Sequence, residues 1–155
     1  MVAIESLLQF TKEMRLLYVE DNRDSREMTA MILEDLFKEI IIAVDGEDGL
    51  VKFGENKIDM VITDINMPKM DGLSLCKAIR KENEHIPLIV LSAHNEEQFL
   101  VQSFQAGINA YMTKPIDIQQ LITYIYKVLT NATPKKVDLA DVPRYSSYKK
   151  IMEQI

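Results

Sequence analysis

Cysteine occurs once in the 155 residues, at Cys76, so no intramolecular disulfide can form. With only two histidines beside it, no Cys/His cluster has the spacing of a zinc or redox site, and the usage fits a reducing cytosol. No apolar run approaches the ~20 residues that a bilayer span needs. The opening stretch MVAIESLLQF carries Glu5 within its apolar residues and no basic leader, which argues against secretion. Internal repeats and low-complexity segments are absent too. Clustered basic charge is scarce. The formal net charge is -6, and residues 1–130 carry 13 Lys+Arg against 21 Asp+Glu, while 131–155 carry 5 against 3. An acidic body with a weakly basic tail lacks the electrostatic footprint of a nucleic-acid binder.

What is present is the making of a full core, with 47% apolar and 27% charged residues. Short β-rich runs recur at Arg15–Val19, Glu39–Val44, Asp59–Thr63, Pro87–Ser92 and Asn109–Thr113. Most are apolar without alternation, the pattern of strands covered on both faces. Helical spacing lies between and after them: Met28, Ile32 and Leu36; Leu75, Cys76 and Ile79; Leu100 and Phe104; then Ile118, Leu121, Ile122, Ile125, Val128 and Leu129. Five strands alternating with five helices predict a parallel sheet, with right-handed crossovers placing helices on both faces. Asp45-Gly46 and Asp71-Gly72 fall where strand gives way to helix, and Gly107 follows the fourth helix as a C-terminal cap. A short extra helix is expected over Ile4 to Met14. The domain organisation predicted is a helical extension over 1–14, one α/β domain over 15–130, and a tail over 131–155.

In an open parallel sheet the ligand site lies beyond the carboxyl ends of the strands. Glu20-Asp21 end the first strand, Asp64 in MVITDINMPKMDG the third, Ser92 the fourth, and Thr113-Lys114-Pro115 the fifth. Each has a structural alternative: an acidic residue there can cap the next helix, Ser92 can serve a turn, and Lys114 can be a solvated charge. Together they converge on one rim. Two like charges 4 Å apart repel by about 4 kcal/mol at an effective dielectric of 20, so three carboxylates need more than one lysine among them. A hard divalent cation is the natural remedy, and Mg²⁺ is commonly held by one or two carboxylates, waters and phosphate oxygens. Lys114 and the Ser92 hydroxyl would then face a phosphoryl group.

The pieces LLYVEDN, DMVITDINMPKMDG, PLIVLSAH and NAYMTKP stand in an order and spacing that resemble the receiver domain of two-component response regulators, of the chemotaxis type in size. The resemblance covers about Arg15 to Thr130 and implies a flavodoxin-like sheet of order 2-1-3-4-5. It implies that Asp64 is the phosphoacceptor, taking a phosphoryl group from a histidine kinase or histidine phosphotransfer protein. Asp21 and Asp64 would hold Mg²⁺, or Mn²⁺ in its place, with Glu20 acting through water and the backbone carbonyl of Asn66 as a further contact. Lys114 would pair with the phosphoryl and Ser92 would donate its hydroxyl. Ser92 and Tyr111 would be the switch, the Tyr111 ring entering space that Ser92 vacates. The fourth helix, fifth strand and fifth helix of the repeat would form the output face, toward a downstream protein or a second copy. The resemblance also implies a cis Lys114-Pro115 bond, a cytoplasmic location, and a phosphoacceptor that promotes its own phosphorylation and dephosphorylation rather than a turnover enzyme.

Some features differ from the most familiar form. The acidic pair is Glu-Asp, and the switch hydroxyl belongs to Ser instead of Thr. Asn66 and His94 flank the expected path of hydrolytic water and can tune phosphoryl lifetime or simply be solvated loop residues. Asn109-Ala110 replaces acidic residues that pair dimers in winged-helix regulators, which argues against that dimer. A flavodoxin-like cofactor binder would need a phosphate loop where EDNRD stands. An aspartyl phosphatase would need a carboxylate at Asn66. The tail after Thr133 shows Tyr145, Tyr148, Ile151, Met152 and Ile155 at helical spacing, consistent with a docking helix, the start of a signalling helix in a longer regulator or kinase, or a partly disordered end.

Overall fold

The computed structural model describes residues 3–93 and 97–130. The expectations for His94 and for the segment after Thr130 lie outside the described residues. In chain order the elements are α1 (Ile4–Thr11), β1 (Arg15–Val19), α2 (Arg23–Glu34), β2 (Glu39–Ala43), α3 (Gly46–Glu55) and β3 (Met60–Asp64). There follow α4 (Gly72–Glu82), β4 (Leu88–Ser92), a 3-10 turn at Glu97–Phe99 leading into α5 (Leu100–Gln105), β5 (Ala110–Thr113) and α6 (Ile118–Thr130).

All neighbouring strands pair in parallel, in the order β2-β1-β3-β4-β5. The physical reason is visible in the strands themselves. Every residue of β3 and β4 is buried, because their two side-chain parities feed two separate cores. Leu17, Val19, Val61 and Val90 pack under α3, α4 and α5. Leu16, Tyr18, Ile62 and Leu91 pack under α2 and α6, and Leu7 of α1 joins that second core. Edge strand β2 is only half-buried over Ile40, Ile41 and Ile42.

The starts of α2, α3 and α4 are fixed by side-chain caps. Asn22, Asp45 and Asp71 each accept from the backbone N–H three residues on, at 2.9, 2.8 and 2.7 Å. Each such cap stabilises its helix by about 1 kcal/mol. Asp45 and Asp71 are thereby occupied as caps. Gly107, at φ 88°, takes the left-handed conformation that ends α5.

Three expectations need adjusting. α1 stops at Thr11 instead of Met14, where the Thr11 hydroxyl donates back to Leu7 O at 3.3 Å and the Met14 N–H closes a turn on Thr11 O at 2.9 Å. β3 runs one residue later than the Asp59–Thr63 stretch, over Met60–Asp64, and it ends in Asp64 as expected. Met28, read as part of the inward face of α2, is 68% exposed; the buried face is Thr29, Ala30 and Leu33. Leu36 is buried, but in the turn after the helix has ended.

Candidate functional site

Ladder bonds carry the sheet geometry one residue past the strands, and this brings the rim residues together. Glu20 N donates to Ala43 O at 3.1 Å, Ile65 N to Leu91 O at 3.2 Å, and Lys114 N to Ser92 O at 2.7 Å. Glu20, Asp64 and Ser92 are buried, and Asp21 is the exposed member of the acidic set. One carboxylate oxygen from each of Glu20, Asp21 and Asp64 lies within 4.8 Å of the others.

Lys114 reaches across this rim. Its Nζ stands 2.5 Å from Glu20 Oε1 and 3.4 Å from Asp64 Oδ1. Burial alone would raise the Glu20 carboxyl, but the Lys114 ammonium and Asp64 outweigh it and hold Glu20 below the usual carboxylate value. The same contacts overcome burial at Lys114 and hold it above its usual value. Asp21 moves the other way: burial, and then the adjacent Glu20, push its carboxyl up. A cation at the rim would reverse that push. The donor set fits one. Ligand oxygens around Mg²⁺ at about 2.1 Å stand roughly 3 Å apart when adjacent and about 4.2 Å when opposite. The three carboxylates would close slightly on a shared ion, or one would act through water.

The loop after Asp64 is pinned from both ends. Gly72 N donates to Ile65 O at 2.7 Å, and Gly46 N, at the start of α3, donates to Met70 O at 3.1 Å. A Cβ on Gly72 would stand 2.0 Å from Asp64 O, so glycine alone permits this approach. Asn66 is exposed within the loop, between buried Ile65 and Met67. The Lys114-Pro115 peptide bond is cis.

Ser92 and Tyr111 are already joined. The Tyr111 hydroxyl donates to Ser92 Oγ at 2.6 Å, while Ser92 Oγ donates to Ala93 O at 2.9 Å. Tyr111 is only 5% exposed, so its ring lies inward with Ser92 in place, without waiting for Ser92 to vacate space. Asn109 has a different task from the dimer contact considered for its position. Its Oδ1 accepts from Leu88 N at 2.8 Å and from Arg80 Nη2 at 3.1 Å, and the Arg80 guanidinium also donates to Gly107 O and Ile86 O. Sequence reading missed Arg26, whose Nη1 donates to Glu20 O at 2.9 Å and Asp21 O at 3.3 Å. The available signal was its spacing, since a side chain one turn into a helix leans back over the loop before it.

Fold and site together define a doubly wound α/β protein with a lysine-bridged acidic cluster at the carboxyl edge of its sheet. The chain belongs to the response regulator receiver domain family, whose model matches residues 16–126. It is 36% identical over 118 residues to the transcriptional regulatory protein CseB of Streptomyces avermitilis, covering 76% of this chain and 50% of that one. It is 32% identical over 133 residues to the transcriptional regulatory protein ResD of Bacillus subtilis, covering 86% of this chain and 55% of the relative. Among solved structures it resembles a CheY-like receiver domain protein of Methanospirillum hungatei, with a TM-score of 0.72, 27% identity, and 77% and 96% of the two chains covered. The chain spans about half the length of the curated relatives it matches. Among the described residues, no helix is long and apolar enough to cross a membrane.

Proposed function

We propose that this receiver domain is a phosphorylation-dependent switch in which Asp64 is the phosphoacceptor. The observation that carries the reading is the Lys114 ammonium set between Glu20 and Asp64, beside the three-carboxylate cluster. An Asp64 oxygen attacks the phosphorus of a phosphohistidine; the P–N bond breaks, the imidazole leaves with the bonding pair, and an acyl phosphate forms. Lys114 neutralises the incoming oxygens, and the Ser92 hydroxyl turns from Ala93 O to donate to the phosphoryl. Asp21, Asp64 and the Asn66 carbonyl would hold Mg²⁺ with Glu20 through water, and the ion would neutralise charge on the transferring group. Asn66 and His94 would tune how long the phosphoryl survives.

The product carries roughly two negative charges where there was one. In this reading the change is felt first by the Ser92–Tyr111 pair and then by α5, β5 and α6, which serve as the output face toward a protein target or a second copy. The donor is a histidine kinase or histidine phosphotransfer protein, and a cytoplasmic location accompanies it. The domain itself is residues 15–130, with 1–14 as a helical extension and 131–155 as a tail. One observation favours a second reading, that this is the receiver portion of a longer regulator: the relatives named as transcriptional regulators are about twice the span matched here. Any DNA contact would then belong to a further domain, since the acidic receiver itself lacks a basic face.

The test is incubation with a small acyl-phosphate donor and Mg²⁺, read by intact mass. The wild-type chain is expected to gain one phosphoryl group and Asp64→Asn none. A gain on Asp64→Asn, or none on the wild type, overturns the assignment. Sedimentation before and after phosphorylation separates self-pairing from docking to another protein.

A further inference from the structure

Three carboxylates meet at the rim, yet they are not equally well held. Glu20 is fully buried, with Lys114 on one oxygen and Asn22 N at 3.3 Å on the other. Asp64 is the last residue of a central strand and faces Lys114. Asp21 is exposed, stands in the loop between β1 and α2, and has another carboxylate, Glu20, beside it. Its direction therefore depends on its backbone.

That backbone is tethered by two side chains: Glu20 Oε2 accepts from Asn22 N, in the plane of the Asp21 carbonyl, and Arg26 spans both planes. Arg26 Nη1 donates to Glu20 O and to Asp21 O, the carbonyls of the two peptide planes on either side of the Asp21 Cα. Fixing both planes fixes φ and ψ of Asp21 and hence the vector along which its carboxylate leaves the chain. The placement of Arg26 runs against simpler uses of an arginine. It lies four residues into α2, near the positive end of the helix dipole, where a cation is disfavoured. Arg15 and Arg23 each pair with a glutamate at 3.2 Å, but among the described residues no carboxylate oxygen lies within 4.0 Å of Arg26. Its partners are the two carbonyls.

We infer that Arg26 is a positioning residue for the metal step of phosphorylation: it aims Asp21 at the ion that Asp64 and Glu20 share. The inference rests on the Asp64 and Mg²⁺ reading above. It makes a prediction opposite in sign to that of charge alone. A guanidinium near a divalent cation repels it, so if Arg26 acted only through charge, its neutralisation would tighten metal binding. If it acts through geometry, neutralisation loosens binding, by an amount typical of residues that orient metal ligands, about 10-fold or more.

The experiment measures Mn²⁺ affinity of the full chain by electron paramagnetic resonance, with Mg²⁺ competition, for wild type, Arg26→Gln and Arg26→Lys. The Gln variant is expected to show a Kd raised about 10-fold, with the phosphorylation rate at saturating Mg²⁺ close to wild type. The Lys variant keeps a cation and a donor but not the planar fork, and is expected to fall between. An unchanged or lower Kd in Arg26→Gln overturns the inference, whatever happens to its melting temperature. Should that variant fail to fold, an unchanged Kd in Arg26→Lys overturns it equally. A wild-type chain that binds neither ion, or takes no phosphoryl, would sink the functional reading itself; wild-type activity with a wild-type Kd in Arg26→Gln would sink only the role of Arg26.

Discussion

Cys76 shows how far burial sets a side chain's chemistry. It is fully buried on the inner face of α4, and burial pushes its thiol up to about 12. The thiolate is the reactive species, so the native protein should be inert to thiol reagents near pH 8. Because it is the only cysteine, labelling reports on opening of this core alone. The expected outcome with a disulfide reagent is negligible reaction in buffer and one equivalent in denaturant, at a rate that follows unfolding. Rapid full labelling of the folded chain would show that the face under α4 opens on its own. Residues of this kind were legible from sequence, because an apolar neighbourhood repeats along the helix. Arg26 was not, because its partners are carbonyls whose direction depends on how β1 enters α2. The inward Tyr111 ring was likewise illegible: the identity of residues 92 and 111 names the pair but not which rotamer packing selects.

At the scale of elements, the strands were readable to within a residue because central parallel strands bury both parities and so are written in unbroken apolar runs. Helix faces were less readable. The buried face of α2 is built partly from Thr29 and Ala30, small residues that carry little hydrophobic signal, while Met28 and Met31 advertise a face that is 68% and 70% exposed. The loop from β3 to α4 depends on a glycine for a reason no periodicity encodes, the approach of Gly72 to Asp64 O. Gly72→Ala should therefore cost at least about 1–3 kcal/mol, and should slow phosphorylation because the atoms displaced belong to Asp64. Gly54 is the control. It lies on the exposed side of α3, and a Cβ added there would meet no atom within 4 Å, so Gly54→Ala should stabilise by about 0.4–1 kcal/mol and leave phosphorylation unchanged. Urea melts of both variants, with phosphorylation rates alongside, check the contrast; equal stability changes in the two would mean that the approach to Asp64 relaxes freely.

For the molecule as a whole, the question is whether α1 is an appendage or part of the domain. The family match begins at residue 16, beyond α1, and the sequence alone suggests an extension. Packing nevertheless ties this extension to the domain at more than one residue. Leu7 is fully buried in the core shared with β1, α2 and α6, and Phe10 meets Tyr126 of α6 edge-on, with ring centroids 5.9 Å apart and planes at 75°. An eight-residue helix is too short to persist by itself in water, so α1 exists because this contact offsets its ordering entropy. Leu7→Ala should then destabilise the entire domain by about 2–5 kcal/mol, seen as a lower urea midpoint with an unchanged slope. An appendage would instead unfold locally, leaving the midpoint where it was. The phosphorylation rate well below that midpoint should be unaffected, since α1 joins the amino end of β1 through three residues while the acidic rim lies at the carboxyl ends. A lost midpoint with an intact rate would place α1 among the elements that hold the sheet together and outside those that carry its chemistry.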